Sequence, residues 1–197
     1  LNLEYGLSRA TVPAGSTVTI TNAKVVGSCY GNGADGTVVF ENCSFNNPNG
    51  AYSIHFDSGS GDVIFRNCQL YGWNSFGSSL NSVTFENCTL EGNGHYALIR
   101  SYADLNMSDC TVDTTNANHD DVYDEGVQAI EPATFTQNNV TYIVSNDVDL
   151  KNVLEQGGDV VLESDFTIDE TESNGYGKTG INMNNGGTLD GNGNELG

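Results

Sequence analysis

The chain has few prolines, few basic residues and no long apolar run. Of its 197 residues 3 are Pro and 6 are Lys or Arg, against 26 Asp or Glu, so the formal net charge is −20. Nucleic acid and anionic membrane surfaces are poor partners for a chain of this charge, because phosphate groups are bound by clustered Lys and Arg. No membrane insertion is expected either, because a spanning helix needs a run of about 18 apolar residues or more.

What the chain does contain is glycine and enough apolar residues to fold. It has 24 Gly, and hydrophobic residues make up 37% of it. Glycine and asparagine tolerate the positive φ angles of tight turns, so short strands are favoured over long helices. The five Cys are an odd number, so at least one of them is free or pairs between molecules.

The chain repeats one eight-residue pattern. It is clearest in residues 38–45 (VVFENCSF), 63–70 (VIFRNCQL) and 83–90 (VTFENCTL), and looser in residues 18–25 (VTITNAKV) and 105–112 (LNMSDCTV). The sixth position of each copy falls at residues 23, 43, 68, 88 and 110, which gives steps of 20, 25, 20 and 22 residues. A period of this length is typical of a solenoid.

Within each copy apolar and variable residues alternate, which predicts a strand with one buried face. The Asn that follows predicts a corner, because it tolerates the left-handed backbone conformation better than other non-Gly residues. Stacked coils would lie about 4.8 Å apart, close enough for the corner amides to hydrogen-bond along the stack. The predicted structural ladder has two rows: Asn42, Asn67 and Asn87, and the core-filling Cys43, Cys68, Cys88 and Cys110.

The coil length, the V-x-F-x-N-C corner and residues 189–193 (LDGNG) resemble the right-handed β-helix of the pectin-lyase-like superfamily. The resemblance implies an all-β fold, a right-handed parallel β-helix with coils of about 20–25 residues. It also implies an extracellular or cell-surface protein of a bacterium.

A single helix is predicted near residues 147–156. Asn146 can cap it, with Asp149 three residues later as in a capping box. Leu150, Val153 and Leu154 give an apolar stripe, and Gly157 ends the helix.

A helix followed by strands resembles the opening of a β-helix. We therefore divide the chain into β-helix coils at residues 1–135 and a helix-capped second start, or a stacking or capping segment, at residues 136–197. Three explanations stay open: a slice holding parts of two β-helices, a module that self-associates through its ends, and one domain with its cap folded back.

One group of side chains suits a polysaccharide-binding groove because it mixes aromatic faces with polar groups. Its members are Tyr71, Trp73, His95, Tyr96 and Arg100. Aromatic stacking inside the solenoid is the alternative explanation for the rings.

A second group supplies oxygen ligands for Ca²⁺ but lacks the regular spacing of an EF-hand loop. Its members are Asp113, Asp120, Asp121, Asp124 and Glu125. A solvated acidic loop is the alternative.

We predict no catalytic residues. Asp120 and Asp121 resemble the paired carboxylates of the β-helical polygalacturonases, but the Gly-His-Gly and Arg-x-Lys motifs of that family are missing. A polysaccharide lyase needs a basic group, and no two basic residues are close in sequence, although stacking could bring Arg66 and Arg100 together. The expected function is a non-catalytic structural or adhesive segment of a surface protein or fibre. The alternatives are a carbohydrate-active β-helix enzyme and a Ca²⁺-dependent polysaccharide-binding module.

Overall fold

The computed structural model describes residues 11–31, 34–47, 52–92, 98–116, 127–130, 133–145, 147–165, 167, 181 and 183–197. Its strands form three parallel sheets, which the chain visits in turn over the first seventeen described strands; the last two add to the second sheet. Five complete coils are present in the described ranges, each with one strand per sheet. The predicted parallel β-helix is confirmed.

The first sheet carries the strand that precedes each corner. Its strands are β1 (Thr17–Thr21), β4 (Thr37–Glu41), β7 (Asp62–Arg66), β10 (Ser82–Glu86), β13 (Asp104–Ser108) and β16 (Phe135–Asn138).

The second sheet follows the corner. Its strands are β2 (Lys24–Val26), β5 (Ser44–Asn46), β8 (Gln69–Tyr71), β11 (Thr89–Glu91), β14 (Thr111–Asp113), β17 (Thr141–Val144), β18 (Asp159–Leu162) and β19 (Leu189–Asp190).

The third sheet closes each coil. Its strands are β3 (Cys29–Gly31), β6 (Tyr52–Phe56), β9 (Trp73–Phe76), β12 (Ile99–Ser101) and β15 (Val127–Ala129).

Equivalent residues of successive coils stack in register, so the core consists of columns of like side chains. Phe40, Phe65 and Phe85 form one such column, and each is completely buried. Their rings stack with centroids 5.2 and 4.8 Å apart and planes 9° from parallel. Each ring covers the next, so the interior excludes water along the whole stack.

The predicted corner ladder is confirmed. Asn42, Asn67 and Asn87 have φ angles of 54, 52 and 52°, in the left-handed region. Asn67 Nδ2 donates to Asn42 Oδ1 at 3.2 Å, and Asn87 Nδ2 donates to Asn67 Oδ1 at 2.8 Å. The amide side chain therefore both permits the turn and links each coil to the next.

The solenoid has a sixth corner that the sequence pattern did not reveal. Asn139 has a φ of 53°, its Nδ2 donates to Asp109 Oδ1 at 2.7 Å, and the following Val140 is 3% exposed in the slot that Cys fills elsewhere. β16 and β17, which flank this corner, pair with β13 and β14. Strands on both sides of residue 135 thus share two sheets, and the division of the chain at that position remains a prediction.

The cysteine column fills the core as predicted. Cys43, Cys68, Cys88 and Cys110 are buried free thiols. The Cys88 thiol donates to the carbonyl oxygens of Glu86, 3.4 Å away, and Phe65, 3.5 Å away in the preceding coil. The neighbouring Cys110 and Cys68 thiols, together with burial, raise the pKa of Cys88, so its thiol is protonated at neutral pH.

The predicted helix is confirmed as α1 (Asp147–Glu155), between β17 and β18. The apolar stripe of Leu150, Val153 and Leu154 is buried. Gly157 has a φ of 80°, and the N–H groups of Gly157 and Gly158 donate to the carbonyls of Leu154 and Val153, which is a Schellman ending.

The start of α1 is held against the solenoid by a buried carboxylate. Asp149 is 1% exposed and accepts a 2.7 Å hydrogen bond from the Thr114 hydroxyl. Asn146, the predicted cap, lies outside the described residues. No helix in the described part of the chain is long and apolar enough to cross a bilayer.

Replacing Cys88 separates core filling from thiol chemistry. We expect Cys88→Val to change the free energy of unfolding by about 1 kcal/mol or less, because volume and apolarity are nearly kept. Cys88→Asp should cost several times more, about 3 kcal/mol or above, because it buries an unpaired charge. Urea unfolding measures both. Equal destabilisation by the two substitutions would contradict the core-filling role.

Replacing Asn67 separates the backbone requirement from the amide ladder. Asn67→Gly and Asn67→Ala both remove the ladder bonds, but only Ala must hold a strained positive φ. We therefore expect Asn67→Ala to be about 1 kcal/mol less stable than Asn67→Gly in chemical denaturation. An alanine variant as stable as the glycine variant would show that the left-handed corner carries no cost.

Candidate functional site

The third sheet carries aromatic and basic side chains on its outer face. Cys29, Ile54 and Ile99 point inward and are completely buried. The next residue of each strand points outward, and Tyr30, His55, Ser75 and Arg100 are in register across four coils. With Tyr52, Trp73, Tyr102 and Asp57, which pairs with His55, they make up what we call the aromatic face.

A β-bulge brings Tyr52 onto this face. Tyr52 pairs with Trp73 and Ile54 pairs with Asn74, so Ser53 is an extra residue in β6. The bulge inverts the alternation, and Tyr52 shares the outward orientation of Trp73. Ser53 turns inward, is completely buried, and donates its hydroxyl to the Tyr71 carbonyl.

The rings of the aromatic face form a continuous stack across coils. The Tyr52 ring lies between Trp73, with centroids 3.9 Å apart, and His55, with centroids 4.1 Å apart. Tyr30 meets the His55 ring at 5.4 Å and an angle of 58°. Because each ring is held by its neighbours, the stack is a rigid support.

Arg100 is positioned by two aromatic rings. Its guanidinium carbon lies 5.2 Å from the centroid of Trp73 and 5.6 Å from that of Tyr102, within the range of cation–π attraction. Its Nη2 donates to the Ser75 hydroxyl at 3.4 Å. The guanidinium is therefore oriented along the outer face.

His55 pairs with the carboxylate of Asp57, the residue that follows the end of β6. Its Nε2 faces Asp57 Oδ1, while its buried Nδ1 has no hydrogen-bond partner among the described residues. Burial lowers the pKa of His55, the Asp57 carboxylate opposes this effect, and the Arg100 charge adds to it. The imidazole is neutral at pH 7 and donates its Nε2–H to Asp57.

Exposure divides the aromatic face into a framework and an accessible edge. Trp73 is only 5% exposed, whereas Tyr102 is 36% exposed and Asp57 keeps 59% of its side-chain surface. Trp73 thus holds Arg100 from beneath. Tyr102 and Asp57 can contact a ligand from solution.

The structure brings together part of the groove that the sequence predicted. Trp73 and Arg100 are in contact, and His95 and Tyr96 lie outside the described residues. Tyr71 is 38% exposed but belongs to β8 of the second sheet.

Six residues of the aromatic face were missed by the sequence analysis: Tyr30, Tyr52, His55, Asp57, Ser75 and Tyr102. Alternation in residues 52–56 is a sequence signal that could have placed His55 on the outer face. The contacts between residues of different coils could not be predicted without the strand register and the β-bulge.

Arg66 and Arg100, considered as a basic pair, lie on strands of different sheets. Arg66 makes an ion pair with Glu86 across neighbouring coils, with Nε and Oε2 2.6 Å apart. The Glu86 hydrogen bond raises the pKa of Arg66. The two arginines therefore lie on different sheets and have different neighbours.

The predicted Ca²⁺ ligands are described only in part. Asp113 Oδ1 accepts the N–H of Thr115 at 3.0 Å, an arrangement that closes a turn. Asp120, Asp121, Asp124 and Glu125 lie outside the described residues. Within the described ranges no three His, Cys, Asp or Glu side chains are grouped to hold a metal, and Ca²⁺ binding stays a prediction.

Comparison with known proteins identifies the fold family. The family described as "Right handed beta helix region" matches residues 11–152, well over half of the chain. Searches of the curated proteins and of the solved structures returned no significant match. The matched residues include the corner ladder, the cysteine column and the described aromatic face, and the handedness agrees with the sequence-based expectation. The chain belongs to the right-handed β-helix family.

Proposed function

We propose that this chain is a non-catalytic, adhesive β-helix module of an extracellular or surface protein that binds polysaccharide on the aromatic face. The observation that supports the proposal is the Arg100 guanidinium held between Trp73 and Tyr102, with the Tyr102 ring still 36% exposed. Oriented cations and partly exposed rings are typical of binding surfaces.

Sugar chemistry suits this surface. A pyranose ring has an apolar C–H face that packs against an aromatic ring, and its hydroxyls need donors and acceptors at the rim. Tyr102 offers the ring, Arg100 offers donors, and the exposed Asp57 carboxylate offers acceptors. Because Arg100 and Tyr102 are held by ring contacts, little of their side-chain entropy is lost on binding.

The charge distribution favours Arg100 as the contact for an anionic or strongly polar sugar. The chain carries a net charge of −20, which repels an acidic polysaccharide over most of its surface. Arg100 lies against two rings and the Ser75 hydroxyl, and these contacts place its positive charge on the aromatic face.

We propose a non-catalytic role because of the acid and base groups that the aromatic face supplies. Glycoside hydrolysis needs two carboxyl groups across the scissile bond. On the described part of this face Asp57 supplies one, and it is paired with His55.

Self-association through the ends of the stack is a further proposal, and sedimentation velocity at several protein concentrations decides it.

The test measures polysaccharide affinity and cleavage together. Isothermal titration at fixed ionic strength would use polygalacturonate, alginate and a neutral glucan, with Arg100→Gln and Tyr102→Ala as the site variants. Losing a cation–π or stacking contact of about 1–2 kcal/mol should weaken Kd about 5- to 30-fold. Arg66→Gln is the matched control, because it removes the same charge from another sheet, and its Kd should stay within about twofold.

Three results would oppose the proposal. They are no binding to any of the three polymers, an equal loss of affinity in Arg66→Gln, and the appearance of new reducing or unsaturated ends. The last would favour the enzyme alternative. Melting curves of each variant establish that a lost affinity is not lost folding.

A further inference from the structure

The single Trp of the chain and one of its three His belong to the same stack of rings. Trp73 stacks on Tyr52 with ring centroids 3.9 Å apart, and Tyr52 stacks on His55 with centroids 4.1 Å apart and planes 11° from parallel. Tyr30 lies beside the imidazole, with centroids 5.4 Å apart. One ring therefore connects the packing of His55 to that of Trp73.

The position of His55 suits a neutral imidazole. Its Nε2 faces the Asp57 carboxylate, whereas its Nδ1 is buried and has no hydrogen-bond partner in the described part of the chain. A neutral ring with its proton on Nε2 donates to Asp57 and needs no acceptor at Nδ1. An imidazolium carries a proton on both nitrogens, so its Nδ1–H would be buried without an acceptor.

The charges around the imidazole come from two strands of the third sheet. Asp57 follows β6, and Arg100 belongs to β12; the titratable rings that pack against the imidazole are Tyr30 on β3 and Tyr52 on β6. Burial lowers the pKa of His55, the Asp57 carboxylate opposes this effect, and the Arg100 charge adds to it. The net direction is downward, so the packed ring stack favours the neutral imidazole.

We propose that His55 is a pH-sensitive support of the aromatic face, which is closed while the imidazole is neutral and opens when the imidazole is protonated. In the open face the ring leaves Tyr52 and Nδ1 reaches water, where an imidazole has its ordinary pKa of about 6.5. The stability that His55 gives to the closed face is complete above that pH. It is lost as the pH falls toward the lower pKa of the packed ring, by at most about tenfold in the ratio of closed to open face per pH unit. Weaker polysaccharide binding in acid is a consequence that rests on the proposed function.

Trp73 fluorescence tests the proposal on the ligand-free chain, because no other Trp contributes to the signal. Trp73 is 5% exposed, so we expect its emission maximum to move to longer wavelength from about pH 7.5 to about pH 5, while the far-UV circular dichroism stays constant. His55→Gln should abolish the shift, because an amide does not titrate. His119→Gln is the matched control and should keep the shift.

Two further variants test the charges around the imidazole and do not depend on the folding of His55→Gln. Asp57→Asn removes the charge that favours the imidazolium, so the midpoint of the fluorescence change should move to lower pH. Arg100→Gln removes a charge that opposes the imidazolium, so the midpoint should move to higher pH. General acid unfolding does not predict opposite shifts at these two positions.

Four outcomes would overturn the proposal. They are a constant emission maximum in the wild-type chain, an undiminished shift in folded His55→Gln, shifts of the midpoint in the same direction in Asp57→Asn and Arg100→Gln, and an emission change that coincides with loss of the circular dichroism. No polysaccharide is used in these measurements. Failure of the pH-sensitive support is therefore distinguishable from failure of polysaccharide binding.

Discussion

Coil-to-coil hydrogen bonding in strict parallel register is the constraint on which this structure depends. Each strand of the solenoid pairs with the equivalent strand of the neighbouring coil, so a side chain is always placed about 4.8 Å from its counterpart. A side chain at a stacked position must therefore pack well against a similar side chain in the next coil. This selects flat rings such as Phe40, Phe65 and Phe85, which stack within 9° of parallel.

The corners follow from the same constraint. A turn that preserves the inward face needs a left-handed residue, and stacking requires that its side chain bond to copies of itself. The Asn amide meets both conditions with one donor and one acceptor along the axis. Cys88 is suited to the next position because its thiol is small, apolar and able to donate to two carbonyls.

The repeated part of the fold could be predicted from the sequence because the same physical requirement recurs at a regular spacing. The corner Asn67, the core Cys68 and helix α1 with its Gly157 ending all follow from local patterns. The corner at Asn139 escaped notice because Val140 replaces Cys and the step from Cys110 is 30 residues. Long insertions between coils break the period without breaking the stack.

The aromatic face was harder to predict because its contacts join residues of different coils. Trp73 and Arg100 are 27 residues apart in sequence and meet only through the third-sheet register. Tyr52 reaches Trp73 because of a bulge that no residue pattern announces. Tyr71, two residues before Trp73, belongs to another sheet. Proximity in sequence was a poor guide to this site.

The register itself can be measured directly. Thr19 and Thr136 are exposed residues of one outward column of the first sheet, five coil steps apart. Spin labels on Thr19→Cys and Thr136→Cys should give a narrow distance distribution centred at about 24 Å by double electron–electron resonance, because five steps of about 4.8 Å separate them. The buried native thiols should remain unlabelled. A broad distribution, or a centre displaced by more than two coil steps, would contradict the continuous stack.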